Sequence, residues 1–195
     1  MTPKQASTTI LEIVSKIDVI PVIATDDVLA SVDLAKSLVD AEMPVIEVTL
    51  RTPNALKVIE KMASVNGAIV AAGTVLDEAQ LVACKEAGAS FAVSPGSTQS
   101  LVVASQRHSM PLLPGAATAS EIMFLSEKGF HFLKFFPAEI NGGAAALKAL
   151  GAPLPHVSFC PTGGVNASNI ADYLALTNVA CVGGSWMITS EGLQT

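Results

Sequence analysis

Short apolar runs rich in β-branched residues alternate along the chain with segments in which apolar residues recur every three or four positions. Runs of the first kind are typical of strands buried on both faces, and the second pattern predicts amphipathic helices. Eight strands are predicted, at residues 18–24, 44–50, 68–75, 91–96, 110–115, 130–137, 157–164 and 179–186. Seven helices are predicted between them, at residues 28–42, 54–65, 78–87, 99–106, 120–128, 143–150 and 167–176. The chain is therefore built from a repeated strand–helix unit.

Strict alternation of strands and helices predicts a parallel sheet, and eight such units close naturally into a (β/α)8 TIM barrel. Residues 10–17 predict an extra N-terminal helix, and residues 188–195 are too few for a full helix after the eighth strand. An open doubly wound sheet is the alternative, but no predicted strand is followed by the motif G-x-G-x-x-G. We expect one α/β domain over residues 1–195: a (β/α)8 barrel with a shortened or missing last helix.

Composition and charge narrow the classes of partner. Half of the residues are hydrophobic, yet the longest apolar runs are far shorter than the roughly 18 residues that span a bilayer. A net charge of −6 with only two arginines argues against a nucleic-acid partner. Residues 1–5 lack a signal-peptide pattern, and the three cysteines include no close pair. We therefore expect a cytoplasmic protein that binds a small molecule, with neither a membrane nor a nucleic acid as partner.

The second predicted strand places charged side chains inside the barrel. Alternate residues of a strand share a face, so Ile46, Val48 and Leu50 form an apolar face that suits packing under helices. The opposite, inner face then holds Val45, Glu47, Thr49 and Arg51. Buried charges are costly unless they are paired or functional. A structural ion pair and a functional site both explain this pattern.

One lysine of the nine lies within a predicted strand. Alternation places Lys134 on the same face as Phe132 and Phe136. An ammonium group among aromatic side chains is costly to desolvate, which favours the neutral amine, and a neutral amine attacks ketones to form a Schiff base. The alternative is a lysine that extends to solvent at the barrel rim. Glu47 in the same barrel favours the functional interpretation.

Paired glycines end the last two strands. Gly163-Gly164 follows the seventh strand, and Gly183-Gly184-Ser185 ends the eighth. Glycine pairs let backbone N–H groups approach an anion, and the loops after these two strands bind phosphate in many TIM barrels. The pattern predicts a phosphate site.

A metal or thiol mechanism finds little support in the sequence. The three histidines stand singly, without the spacing of a metal site, so we expect no metal and no other cofactor. Cys160 and Cys181 lie within predicted strands and are interpreted as packing residues.

At these positions the chain closely resembles the bacterial class I aldolases for 2-keto-3-deoxy-6-phosphogluconate (KDPG) and 4-hydroxy-2-oxoglutarate (KHG). The stretches that carry the resemblance are EVTLRT (47–52), AGTV (72–75), SPG (94–96), KFFPAE (134–139), FCPTGG (159–164) and GGSW (183–186). They occur in the family's order from the second predicted strand to the eighth. Ala71 departs from the glycine that members often have there.

The resemblance implies a role for each matching residue. Lys134 takes the role of the Schiff-base lysine and Glu47 that of the proton-transfer residue. The pyruvyl carboxylate is expected on Arg51 and Thr74. The other implied positions are Pro95, Phe136 and Thr162 for the substrate pocket, and Gly163, Gly164, Gly184 and Ser185 for the phosphate.

The resemblance also implies the function. We expect a metal-independent lyase of the Entner–Doudoroff pathway that cleaves KDPG, and possibly KHG, to pyruvate and an aldehyde, and that assembles as a homotrimer. The alternative is a barrel that binds a phosphorylated metabolite without catalysis, with Glu47, Arg51 and Lys134 as a buried ion network.

Overall fold

A computed structural model of the protein describes residues 1–189 and 192–193. The helices are α1 Pro3–Val14, α2 Val28–Asp40, α3 Ala55–Ala63, α4 Glu78–Glu86, α5 Gln99–Arg107, α6 Ala119–Glu127, α7 Gly143–Gly151 and α8 Ile170–Leu174. The strands are β1 Val19–Ile23, β2 Val45–Thr49, β3 Ile69–Gly73, β4 Phe91–Val93, β5 Leu112–Leu113, β6 Gly115–Ala116, β7 Phe132–Phe135, β8 Ser158–Pro161, β9 Val182–Gly184, β10 Ile188–Thr189 and β11 Gly192–Leu193. Every predicted strand contains an observed strand, and Pro114 divides the fifth into β5 and β6.

The first nine strands pair in parallel. Six of them form one sheet in the order β5-β4-β3-β2-β1-β9, and three form a second sheet in the order β6-β7-β8. Within the larger sheet Glu47 is level with Val22 on one neighbour and Ala71 on the other. Within the smaller sheet Lys134 is level with Gly115 and Cys160. The fold is α/β, with a curled parallel sheet of half-barrel extent and eight helices among the described residues.

The hydrophobic core has two parts, and the alternation of side chains along each strand separates them. Ile46 and Val48 of β2 and Leu133 and Phe135 of β7 pack in the larger cluster, which also holds the buried faces of the helices. A smaller cluster lies on the inner face of the curled sheet. Its members are Ile10, Val14, Ile20, Val45, Ala71, Phe91, Val93, Leu113, Phe132, Cys160 and Cys181. The two faces predicted for β2 and β7 are confirmed.

Helix α1 covers the inner cluster at one end of the sheet. It begins at Pro3, earlier than predicted, because Thr2 and Gln5 form a capping box and proline suits the first helical position. Ile10 and Val14 project into the inner cluster. Ser7 is fully buried, and its Oγ accepts hydrogen bonds from the backbone N–H groups of His131 and Phe132, at 3.2 Å and 3.3 Å. The helix is thereby tied to the strand that carries Lys134.

The C-terminal part of the chain differs in detail from the prediction. Helix α8 has five residues where residues 167–176 were predicted. Beyond β9 the described residues form a short antiparallel pair, β10 with β11, and no helix. Within residues 1–189 and 192–193 no helix is long and apolar enough to span a membrane.

Replacing Ser7 with alanine tests the tie between α1 and β7. The substitution removes the acceptor of two buried N–H groups, and we expect it to lower the free energy of unfolding by about 1–3 kcal/mol. Urea unfolding followed by circular dichroism measures the change. Ser64→Ala is the matched control, because the exposed Ser64 hydroxyl donates only to a helix-end carbonyl. Equal stability of the two variants would show that Ser7 contributes nothing to the docking of α1.

Candidate active site

A cavity of about 350 Å³ opens at the carboxyl ends of the parallel strands. Its walls come from seven different strands or from the loops that follow them, which is why no single segment of the sequence defines it. All of the predicted site residues line it: Lys134, Glu47, Arg51, Thr74, Pro95, Phe136, Thr162, Gly163, Gly164, Gly184 and Ser185. The structure therefore brings the whole predicted set together in one place.

Lys134 and Glu47 form a buried ion pair at the inner end of this cavity. The lysine Nζ lies 3.0 Å from Oε1 of Glu47 and 3.4 Å from its Oε2. The two residues are only 5% and 3% exposed. The Phe136 ring lies 5.4 Å from the same Nζ, at a cation–π distance. The amine can exchange a proton with the carboxylate at this distance, which is the geometry that a nucleophilic amine and its general base require.

Gly73 makes room for the Glu47 carboxylate. It ends β3 and lies level with Thr49 on β2, and a Cβ built on Gly73 would lie 2.8 Å from Cγ of Glu47. Carbon atoms do not approach so closely, so any larger residue would displace the carboxylate from Lys134. This glycine is needed for its small volume, not for its backbone conformation.

Arg51 is oriented by a short chain of hydrogen bonds. Its Nε–H donates to the Thr49 Oγ1 at 3.0 Å, and the Thr49 hydroxyl donates to the carbonyl of Ile23 on the neighbouring strand, also at 3.0 Å. Thr49 is buried, whereas Arg51 is exposed at the cavity rim. The buried hydroxyl therefore fixes the base of a guanidinium group whose remaining donors are available to a ligand carboxylate.

Thr74 is held in a strained backbone conformation. Its φ of 60° lies in the left-handed region, which is costly for a β-branched residue, by about 1–3 kcal/mol. Hydrogen bonds on both sides maintain it: the Gly73 carbonyl accepts from the N–H of Leu50, and the Val75 N–H donates to Val93. Strain of this kind is concentrated at functional sites, and this residue faces the cavity.

The loop after β8 presents unpaired backbone N–H groups to the cavity. We call residues 163–165 the glycine loop. Gly163 and Gly164 have φ values of 97° and 85°, which glycine adopts without strain. Among the described residues, no acceptor receives the N–H groups of Gly164 or Val165. Successive free N–H groups form a concave site for an anion.

The loop after β9 adds a second set of donors to the same wall. Ser185 follows Gly184 and is exposed, and its backbone N–H has no acceptor within the part of the chain that the structure describes. The bridge between Thr162 and Gly183 holds the two loops side by side. The two glycine motifs of the sequence thus form one continuous surface.

The Thr162 hydroxyl has no hydrogen-bond partner among the described residues. Its Oγ1 is buried and makes no hydrogen bond with the described residues, although it lines the cavity. An unpaired buried hydroxyl is costly.

Other reactive groups are placed as packing or surface residues. Burial raises the pKa of the Cys84 thiol to about 11, and a hydrogen bond to Cys160 together with burial raises the pKa of Cys181 well above its usual value. Burial lowers the pKa of His131, which lies outside the cavity lining. Within the described residues, no three His, Cys, Asp or Glu side chains are close enough to hold a metal ion.

Three lining residues were not predicted as site residues: Val22, Thr49 and Val165. Alternation along β2 places Thr49 on the inner face beside Glu47, and that signal was sufficient to include it. Val22 follows from the same alternation along β1. Nothing in the sequence around Val165 distinguishes it from an ordinary loop residue.

A buried lysine paired with a carboxylate, at the carboxyl edge of a curled parallel sheet, is the arrangement of lyases that form a Schiff base with a keto substrate. Residues 10–195 match the family described as KDPG and KHG aldolase. The KHG/KDPG aldolase of Escherichia coli (strain K12) is 48% identical over 177 residues, which cover 90% of this chain and 83% of that protein. The chain belongs to the KDPG and KHG aldolase family.

Solved structures agree with this assignment. The KDPG aldolase of Zymomonas mobilis ZM4, solved with 3-phosphoglycerate, superposes with a TM-score of 0.89 at 41% identity, covering 92% of this chain and 87% of that one. The KDPG aldolase of Legionella pneumophila, with pyruvate captured at low pH as a covalent carbinolamine intermediate, has a TM-score of 0.89 at 43% identity. That match covers 93% of this chain and 88% of the other.

Proposed function

We propose that this protein is a class I aldolase that cleaves KDPG to pyruvate and glyceraldehyde 3-phosphate through a Schiff base on Lys134. The observation that carries the proposal is the buried pair of Lys134 Nζ and Glu47 Oε1, 3.0 Å apart, at the inner end of a cavity whose rim has free backbone N–H groups. The covalent carbinolamine of pyruvate in the Legionella pneumophila relative supports the lysine chemistry.

The pair supplies both groups that the reaction needs. Lys134 passes a proton to Glu47, and its neutral amine attacks the C2 ketone. Glu47 returns that proton to the departing hydroxyl group, so that water leaves and a protonated imine remains. Glu47, directly or through a water molecule, takes the proton of the C4 hydroxyl. The electrons of the C3–C4 bond pass into the imine, which releases glyceraldehyde 3-phosphate and leaves an enamine of pyruvate. Glu47 returns its proton to C3, and hydrolysis frees pyruvate. The imine is itself the electron sink, so the scheme needs no metal or other cofactor.

The two ends of the substrate are bound by opposite walls of the cavity. Arg51 and Thr74 hold the pyruvyl carboxylate and so align the ketone with the amine. The phosphate is bound by N–H groups of the two adjacent loops, with Gly163, Gly164, Gly184 and Ser185. Between them the unpaired Thr162 hydroxyl bonds a sugar hydroxyl, and Pro95 and Phe136 contact the carbon chain.

A closed (β/α)8 barrel accounts for this arrangement. We propose that the two sheets are parts of one barrel and that the barrel is a single domain over residues 1–195. Parallel bridges from Phe159 to Val179 and from Thr162 to Gly183 support one junction. At the other junction only Pro114 separates β5 from β6, and its carbonyl accepts the N–H of Lys134 at 2.9 Å.

We also propose a homotrimer in the cytoplasm. The apolar side chains of Leu29 and Ile140 are 84% and 85% exposed, and they follow β1 and β7 at the edge where the cavity opens. A subunit contact over either side chain would remove its apolar surface from water. The free thiols of Cys84, Cys160 and Cys181 are consistent with a reducing compartment.

The substitution Glu47→Gln tests the proposal. General acid–base assistance is worth about 10²–10⁴-fold in rate, so we expect turnover of KDPG to fall by that factor while imine formation with pyruvate remains partly possible. Pyruvate release is measured by coupling to lactate dehydrogenase. Glu12→Gln is the control, because Glu12 is an exposed carboxylate on α1. Near-normal turnover of Glu47→Gln would remove Glu47 from the mechanism.

The same assay separates the remaining candidates. Cleavage of KHG is a second activity to measure. It needs only Lys134 and the proposed carboxylate-binding residues, Arg51 and Thr74. The rates of cleavage of KDPG and of its galactonate epimer show which configuration of the sugar hydroxyl is accepted beside Thr162. Folded protein that binds phosphate but cleaves none of the three is the non-catalytic binding barrel, and would refute the proposed function.

Thr49→Val tests how Arg51 is oriented. The variant keeps the shape of the side chain but loses the hydroxyl that accepts the Arg51 Nε–H. A hydrogen bond to a charged group is worth about 1.5–3 kcal/mol, so we expect the KM for pyruvate in the condensation direction to rise about tenfold or more, with a smaller change in kcat. Thr52→Val is the matched control, since the Thr52 hydroxyl donates to the Thr25 carbonyl at 2.8 Å outside the cavity. Equal KM values for the two variants would exclude the orienting role of Thr49.

A further inference from the structure

The carbonyl group of Gly164 is held by two side-chain amides. Nδ2 of Asn166 donates to it at 3.0 Å and Nδ2 of Asn169 at 3.1 Å. Both asparagines belong to the turn that leads into α8, and Oδ1 of Asn169 also accepts the N–H of Asn166 at 2.8 Å. The peptide that joins Gly164 to Val165 is trans and planar, so its N–H points opposite to its carbonyl. The asparagines therefore fix the N–H of Val165 toward the cavity side of the loop.

A second contact, between Tyr173 and Glu139, lies beside the glycine loop. Tyr173 of α8 is almost completely buried, and its hydroxyl donates to Oε1 of Glu139. Burial, with a further contribution from the Glu139 carboxylate, raises the pKa of Tyr173, so the phenol remains a neutral donor at physiological pH. Glu139 follows the lysine strand by a few residues. The pair thus joins α8 to the segment that carries Lys134.

The backbone of Glu139 also holds the loop directly. Its N–H donates to the Gly163 carbonyl at 3.0 Å, and the N–H of Ala138 donates to the Thr162 carbonyl at 2.8 Å. A Cβ built on Gly164 would lie 2.7 Å from Cβ of Glu139, so the loop rests against this side chain without a gap. The carbonyl groups of both glycines are therefore occupied by protein donors, and the N–H groups of Gly164 and Val165 have no acceptor among the described residues.

We infer that Asn166, Asn169 and the Glu139–Tyr173 pair are positioning residues that hold the glycine loop in its phosphate-binding shape. None of the four lines the cavity, so they act on the substrate only through the loop. The inference rests on the proposed function for its substrate, and it goes further by assigning the affinity for phosphate to residues that do not touch it. Anion sites built from backbone N–H groups depend on such preorganisation, because a loop that must be ordered on binding loses affinity.

Two variants test the inference against a matched control. Tyr173→Phe removes only the hydroxyl, and Asn169→Ala removes one of the two amides on Gly164. Asn178→Ala is the control, because its Nδ2 donates to the Leu147 carbonyl at 2.9 Å, a bond of the same kind at the other end of α8. For both test variants we expect kcat/KM on KDPG to fall about tenfold through KM, and inorganic phosphate to inhibit about tenfold more weakly. The rate at which pyruvate is trapped on Lys134 by borohydride should change less than twofold, because pyruvate carries no phosphate.

The outcomes separate a positioning role from a structural one. Equal losses in KDPG cleavage and in pyruvate trapping, or unchanged phosphate inhibition, would overturn the inference. If Tyr173→Phe does not fold, Asn169→Ala decides the question, since Asn169 is only half-buried at a turn. Phosphate affinity measured by titration calorimetry is independent of turnover. Wild-type protein that binds phosphate more tightly than the variants but forms no pyruvate adduct would refute the aldolase and leave the positioning role standing.

Discussion

Lys134 and Glu47 are buried side by side with opposite charges, on strands that face each other across the inner surface of the sheet. The architecture around them follows from this pair. An ammonium or a carboxylate alone in that position would cost several kcal/mol, and removing one partner of such a pair is strongly destabilising. The pair requires β2 and β7 to present their inner faces to one another. It requires glycine at position 73, because any side chain there would occupy the place of the Glu47 carboxylate. A parallel sheet that curls on itself meets both requirements.

The two walls of the cavity offer different kinds of hydrogen-bond donor to a ligand. The wall that we propose binds the carboxylate has a charged side chain, Arg51, whose Nε–H donates to the buried Thr49 hydroxyl. It also holds Thr74, whose backbone is strained. The wall that we propose binds phosphate has no positive side chain among its lining residues 162–165, 184 and 185, and it offers backbone N–H groups instead. An acidic protein with two arginines can bind an anion in this way, since the donors are fixed dipoles. Under the proposed function, the affinity for phosphate then depends on the shape of the glycine loop and not on its charge.

The strands and the residues that line the cavity can be predicted from the sequence because both follow local patterns. Alternation along β2 and β7 is enough to place Glu47 and Lys134 on inner faces, and glycine pairs at strand ends are visible without a structure. The bounds of elements were less accurate: the capping box at Thr2 begins α1 at Pro3, well before residue 10. The roles of Glu139 and Tyr173 could not be foreseen, because they depend on a contact between residues 34 positions apart. That contact joins α8 to the segment after β7, and the periodicity of the sequence does not reveal it.

If Lys134 is the nucleophile, pyruvate can be trapped on it covalently. Protein incubated with pyruvate and sodium borohydride is digested and analysed by mass spectrometry, with a sample lacking pyruvate for comparison. We expect one reduced pyruvyl adduct per chain, on the peptide that contains Lys134. An adduct on another lysine, or no adduct from protein whose circular dichroism shows it to be folded, would contradict it.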